Sequence, residues 1–435
     1  MAVIAPFKGL RYNQEAVPDL SLVTAPPNDR ISEELNLQLC EKSEYNIARV
    51  GFCETESDSA APEKYSEGAK LLNEWIKDRV LIRDEKPAIY IYEQRFLMNN
   101  NLQSLKGIIA LVKLEEYEKQ IILPHQKTSL CGYEHRHGII SATKANISPI
   151  FSLYADDDIS ISSNIVSYSA RKPDVSFVSQ DGITQNLWVI DDEEFIAEMQ
   201  KSFANRQIFI ADGHHRYETN IMYRNEMRLL YPGKEDAPYD YTLMSLMPMY
   251  SSGLFVLPTH RLVKGAENFD ENVLITSFTE DFKVSKIYFT ENNYEETILG
   301  RISDVINEKY IGLYTGMVYY YLLKYSGRLE QDSTEVSKDF VFKNLEATLF
   351  NTLILGKHLG FSGDRREIPQ FVTYTRSAKE AIKQVQIGNY QCAFFLNSTR
   401  VVELRKVAEA GYMMPLKSTF FWPKTITGLV IYKFD

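Results

Sequence analysis

The segment Gln207-Ile208-Phe209-Ile210-Ala211-Asp212-Gly213-His214-His215-Arg216-Tyr217 constrains the fold more than any other stretch of the chain. A short apolar run stops at Asp212-Gly213, and a helical pattern reaching Leu230 begins at His214. A strand that feeds a helix through so tight a turn belongs to an α/β arrangement, with the strand buried among others and the helix folded back over them. The turn lies at the carboxyl end of its strand, where open α/β sheets place ligands. Gly213 lets a ligand approach the backbone closely. The helix beyond presents N–H groups and partial positive charge, a ready phosphate site. Arg216 suits two-point contact with phosphate, and His214 and His215 suit anion binding, proton transfer or metal ligation. Asp212 could hold Mg2+ or orient a histidine. The bland alternative makes Asp212 a helix cap and packs one histidine in a core. Two histidines between an aspartate and an arginine favour chemistry.

Periodicity elsewhere predicts helices over Pro62–Arg79, Asp191–Asn205, Leu345–Leu359, Lys379–Val385 and Val401–Ala410. Strands are expected over Ala88–Phe96 and Gly107–Leu114, joined by a hairpin tip at Met98–Asn101, and over Ile147–Tyr154, Tyr241–Pro248 and Leu254–Leu257. Phe371–Tyr374, Ala393–Leu396 and Leu429–Phe434 read as extended, and the tyrosine-rich 311–324 stretch as one buried strand. The first fifty residues look loop-rich. The fold class is α/β with mixed sheets, α+β in the looser sense. A chain of 435 residues exceeds what one core serves, so two or three lobes are expected. They divide as 1–86, a loop-rich segment and helix; 87–262, a central lobe carrying the motif; and 263–435, a C-terminal α/β lobe.

A net charge of −10 disfavours broad binding to nucleic acid. The four cysteines are scattered, which suits a reducing compartment. Neither a signal-peptide pattern nor a run of about twenty apolar residues is evident, so no membrane span and a cytoplasmic location are expected. The dinucleotide turn, the nucleophile elbow and the paired-histidine zinc helix are missing, which removes the usual routes to a dehydrogenase, serine hydrolase or zinc protease.

Further polar clusters could join the turn. His125, Lys127 and Thr128, followed by Lys144 and Asn146, mix the groups that recognise phosphate and polar substrates. Lys417, Ser418 and Thr419 resemble a phosphate loop without its glycines. Cys131, His135 and His137 are metal-binding types at a spacing that fits no common zinc site. Arg11, Asp29, Asn46 and Arg49 are polar residues among apolar ones, weak candidates for substrate contact.

The chain resembles the prokaryotic family catalogued as domain of unknown function ten-fifteen. The resemblance rests on Pro6-Phe7-x-Gly9-Leu10-Arg11-Tyr12, Ala25-Pro26-Pro27, Leu123-Pro124-His125, Ala145 to Phe151, Ile210 to Thr219, Leu257-Pro258-Thr259-His260-Arg261 and Met414 to Lys424. The chain departs from the family pattern at Asn28, at Arg30 and in the loop Cys131 to His135. The Asp212–Arg216 motif is also similar to the nucleotide-binding motif of the ParB/sulfiredoxin superfamily, one branch of which phosphorylates free serine. That similarity implies a ParB/sulfiredoxin-like central lobe that grips nucleotide phosphates. The leading expectation is therefore a nucleotide-dependent phosphotransferase acting on a small polar metabolite, serine or phosphoserine first, with ATP or ADP and Mg2+. Asp29 and Glu218 are alternative carboxylates for the attacking hydroxyl. A nucleotide-binding regulator without turnover and a metal-dependent phosphoester hydrolase are the alternatives. A homo-oligomer stays open.

Overall fold

A computed structural model describes residues 1–27, 31–51, 62–126, 133–267, 269–290, 293–303, 308–327, 342–361, 368–415 and 417–434. The chain forms two compact units. One runs to Phe255 and regains the chain from Pro423; the other holds His125, Gln126 and Val256–Trp422.

The first unit is built on a nine-stranded sheet. Its strands are β1 (Ile4–Ala5), β2 (Ile89–Met98), β3 (Asn101–Lys113), β4 (Ile122–Leu123), β5 (Ile150–Tyr154), β6 (Val175–Val178), β7 (Thr184–Ile190), β8 (Ile208–Asp212) and β9 (Tyr241–Pro248). They lie in the order β4-β8-β5-β9-β3-β2-β7-β6, with β1 paired to β3. β8 with β4 and β9 with β5 are parallel, whereas the other neighbours are antiparallel, so the sheet is mixed. β2 and β3 form a hairpin whose tip, Asn99-Asn100, has φ of 50° and 62°. Asparagine tolerates this left-handed backbone, and such a turn matches the twist of the strands it joins.

The odd-numbered Ile89 and Ile91 face helices, meeting Ile161, Ile165, Phe195, Met199, Phe203 and Tyr217 in one core. The even-numbered Tyr90 points the other way, its ring against Phe7, which in turn meets Tyr432. The last segment of the chain covers this second face. Thr425 bonds Ser245 of β9, Thr427 pairs with Ala25, and Tyr432–Lys433 pair with Ala145–Asn146.

The second unit has a six-stranded sheet of β10 (His260–Val263), β11 (Phe282–Tyr288), β12 (Tyr310–Tyr314), β13 (Tyr319–Tyr325), β14 (Val372–Thr375) and β15 (Cys392–Phe395). Every pairing is antiparallel, in the order β11-β13-β12-β15-β10-β14. Both faces are covered. Val263, Leu313, Tyr321 and Phe394 enter one core, while their neighbours Leu262, Tyr314, Tyr320 and Phe395 enter another.

Several expectations need correction. The 311–324 stretch is two strands, β12 and β13, because Gly316 at φ 89° turns the chain back. The expected 345–359 helix is a single α-turn, Glu346–Leu349, followed by a π-helix over Phe350–His358. Only Tyr432–Lys433 of the expected last strand pairs as one. The first fifty residues contain an α-helix at Glu33–Lys42, started by the Ser32 hydroxyl on Leu35 N–H.

Candidate functional site

Three local features converge where β8 ends. Ile210 pairs with Ser152 and Asp212 with Phe151, so Ala211 is the extra residue of a β-bulge. A bulge bends the strand and re-aims the side chain that follows it. Gly213 then takes φ 99°, and a Cβ there would lie 2.9 Å from the Arg216 guanidinium. Glycine is required by its φ, because an L side chain rarely adopts this backbone.

The helix that follows, His214–Leu230, starts against the usual rules. Gly213 supplies no side-chain cap, the first turn has no acidic residue, and its first three positions are His214, His215 and Arg216. Elsewhere, Asp192 caps the 193–203 helix ahead of Glu193 and Glu194, and Asp270 caps the 271–278 helix. Those starts satisfy the helix dipole with internal negative charge. The start at His214 has no acidic residue in its first turn, a setting in which helix termini hold anions.

Asp212 is the counter-charge to this region. Its carboxylate accepts from Lys424 at 3.4 Å and Arg216 at 3.5 Å. Burial opposes its ionisation, but Lys424 first, then Arg216 and His214, hold its pKa below the usual aspartate value. The Lys424 side chain is only 5% exposed, against 25% for Asp212. Two cations thus meet one carboxylate. Arg216 is further fixed by Ser148 Oγ and the Pro149 carbonyl, each at 2.7 Å, which aim its guanidinium across the turn. Ser148 also bonds Thr427 at 3.0 Å, so the segment that carries Lys424 is tied to the same bracket. Asn146 braces the helix from beneath, donating to Asn220 at 2.8 Å and accepting from Leu243 N–H at 3.0 Å. Beside the turn, the Tyr133 ring lies edge-on to His215 at 5.8 Å, and its hydroxyl donates to Glu218.

The structure gathers Asp212, Gly213, His214, Arg216 and Asn146 around this bracket, and adds Ser148 and Lys424. Lys424 sat inside the basic Met414–Lys424 segment of the sequence but was not singled out there; a lysine flanked by proline and Thr425-Ile426-Thr427 gives no local sign of burial.

Other candidates stand elsewhere. Lys144 is exposed, at φ 49°. His125 is buried in the second unit, its Nε2 2.8 Å from the Thr419 hydroxyl, which also accepts from Gln126 at 3.1 Å. Ser418 donates to the Pro415 carbonyl at 2.6 Å, and Lys417 is exposed in a turn at φ 58°. Arg11 grips Asp84 through Nε and a terminal nitrogen. Asn46 and Arg49 bond main-chain groups of Leu22, Ala48, Ser43 and Cys40. Asp29, Lys127, Thr128 and Cys131 lie outside the described residues. His135 meets the Tyr65 hydroxyl and His137 meets Glu226, and no metal-holding group of three His, Cys, Asp or Glu exists among the described residues. No described helix is long and apolar enough to cross a membrane.

These elements define a mixed-sheet α/β protein whose larger sheet runs into a basic helix start. The chain belongs to the family described as "Protein of unknown function (DUF1015)", whose model matches residues 4–348. No curated protein matches it. Solved structures similar to it include a free serine kinase variant in complex with ADP, at 13% identity and a TM-score of 0.33, covering 72% of this chain and 87% of that one. A conserved hypothetical protein from Pyrococcus furiosus is 13% identical at a TM-score of 0.32, over 73% and 92%. SbnI with a C-terminal truncation from Staphylococcus aureus is 12% identical at 0.34, over 73% and 85%.

Proposed function

We propose that the turn at Asp212–Arg216 binds the phosphates of ATP or ADP, and that the protein transfers a phosphoryl group between the nucleotide and a small polar metabolite. The observation that carries this reading is the helix start with no acidic residue in its first turn, set beside the Lys424–Asp212–Arg216 cluster. Phosphoryl transfer asks a protein chiefly to position reactants and neutralise charge. Backbone N–H groups at His214 and His215 would receive phosphate oxygens, and Lys424 and Arg216 would supply the balancing charge. Asp212 holds both cations in place before a ligand arrives. Glu218, next to His215 and the Tyr133 hydroxyl, is the described carboxylate best placed to orient an attacking hydroxyl.

Magnesium enters as the companion of the phosphates. Asp212 would give it one carboxylate oxygen, and most of its remaining ligands would be phosphate and water, as is usual for this ion. Free serine is the first substrate to try, on the motif similarity to serine-phosphorylating proteins.

Calorimetric titration of ATP and ADP with Mg2+, followed by phosphate-transfer assays on free serine and phosphoserine, tests the proposal. Binding with transfer supports it. Binding without transfer to either substrate would favour a nucleotide-sensing role, and no binding would refute it.

A further inference from the structure

Among its described residues, the second unit holds a buried charge with no carboxylate in ion-pair range. Arg261, from the Leu257–Arg261 motif, lies on β10 and is 3% exposed. One terminal nitrogen donates to the Thr259 carbonyl, while Nε has no partner among the described residues. The guanidinium carbon stands 5.6 Å from the centre of the Phe350 ring and 5.9 Å from that of Tyr374. No carboxylate lies within 4.0 Å among the described residues. Glu346 is the acid whose field reaches it, but that carboxylate is committed to Asn397 N and Nδ2 at 2.7 and 3.0 Å. Burial also pushes the Glu346 pKa up, which favours its neutral form.

His260, the preceding residue, points to the opposite face of the strand, against Phe395, and its two ring nitrogens also lack partners among the described residues. Burial, then Arg261, lowers its pKa to about 4, so His260 is neutral at pH 7 and this burial is tolerable. Arg261 has no such escape. Burial lowers its pKa only to about 10, and it stays charged. A buried charge is ordinarily paired, since an isolated one is costly.

Phe350, whose ring lies 5.6 Å from the Arg261 guanidinium carbon, opens the π-helix. Insertions of π geometry are rare and recur at functional sites.

We propose that Arg261 anchors a binding site for the carboxylate of a small molecule. The Nε edge of a guanidinium offers two parallel N–H groups, which match the two oxygens of a carboxylate. The flanking rings suit a flat ion pair. One negative charge neutralises one guanidinium, whereas a phosphate dianion would leave a charge buried in excess. The site goes beyond the nucleotide reading, because it lies in the unit that contains neither Asp212 nor Lys424.

The test uses the full-length protein, heated with sodium acetate, sodium succinate or inorganic phosphate at matched ionic strength. Acetate or succinate should raise the midpoint of the wild type, and Arg261→Met should lose the rise. Lys424→Met should keep it, which separates this site from the nucleotide turn. Arg261→Met itself should be no less stable than wild type in anion-free buffer. Should it fail to fold, Arg261→Lys decides. It should weaken carboxylate binding by about tenfold, the loss of one charge-assisted hydrogen bond. A rise that survives Arg261→Met or that disappears in Lys424→Met would overturn the proposal. So would a wild type that responds to no carboxylate, or that responds equally to phosphate through Arg261.

Discussion

Lys424 supplies what the Asp212–Arg216 motif lacks by itself, a nearly buried cation held against the strand end by a carboxylate. The pair predicts a distinct response to pH. Asp212 has a folded-state pKa below its ordinary value of 3.8, so its ionised form stabilises the fold above that value. The contribution fades as pH falls through the lower folded value. Asp212→Asn should therefore cost stability at neutral pH, about 1–3 kcal/mol for a partly exposed carboxylate whose loss strands a buried cation. Denaturant melts of the two proteins should converge in acid; a gap that persists there would show that charge is not the cause. Gly213→Ala should cost about 1–2 kcal/mol, the penalty for a side chain in left-handed backbone. It should also weaken nucleotide binding, because its Cβ crowds Arg216. The motif itself was legible in the sequence because its parts are contiguous. Lys424 was not, since 212 residues separate it from Asp212 and only the fold of the last segment brings them together.

At the scale of elements, the tyrosine-rich hairpin shows how a sheet buried on both faces uses its sequence. Tyr320 enters one core, while Tyr319 and Tyr321 turn to the other side and both donate to Glu271. Tyr320→Ala should cost about 3–5 kcal/mol, the range for truncating a large buried ring. Tyr288→Ala on the neighbouring strand should cost less than about 1 kcal/mol, because that side chain is 62% exposed. Equal costs in urea unfolding would contradict the two-core arrangement. Such a run reads as one long strand, because apolar and aromatic residues fill both faces and mask the turn at Gly316. The His214–Leu230 helix and the strand Tyr241–Pro248 are found as expected, since glycine or proline marks their ends. The π-helix was hidden, because its apolar spacing over 350–358 is also compatible with an α-helix.

On the scale of the whole molecule, two units with separate cores need not unfold as one cooperative system. Nucleotide should stabilise the unit that contains Asp212, and in scanning calorimetry its shift should grow with the logarithm of ligand concentration. The direct test of the central claim is calorimetric titration of ATP and ADP with Mg2+ into wild type, Arg216→Met and Lys424→Met. Saturable binding to wild type, weakened at least about tenfold in both variants while they remain folded, is the expected result. Equal binding by all three, or no binding by the wild type, would contradict a nucleotide site at this turn.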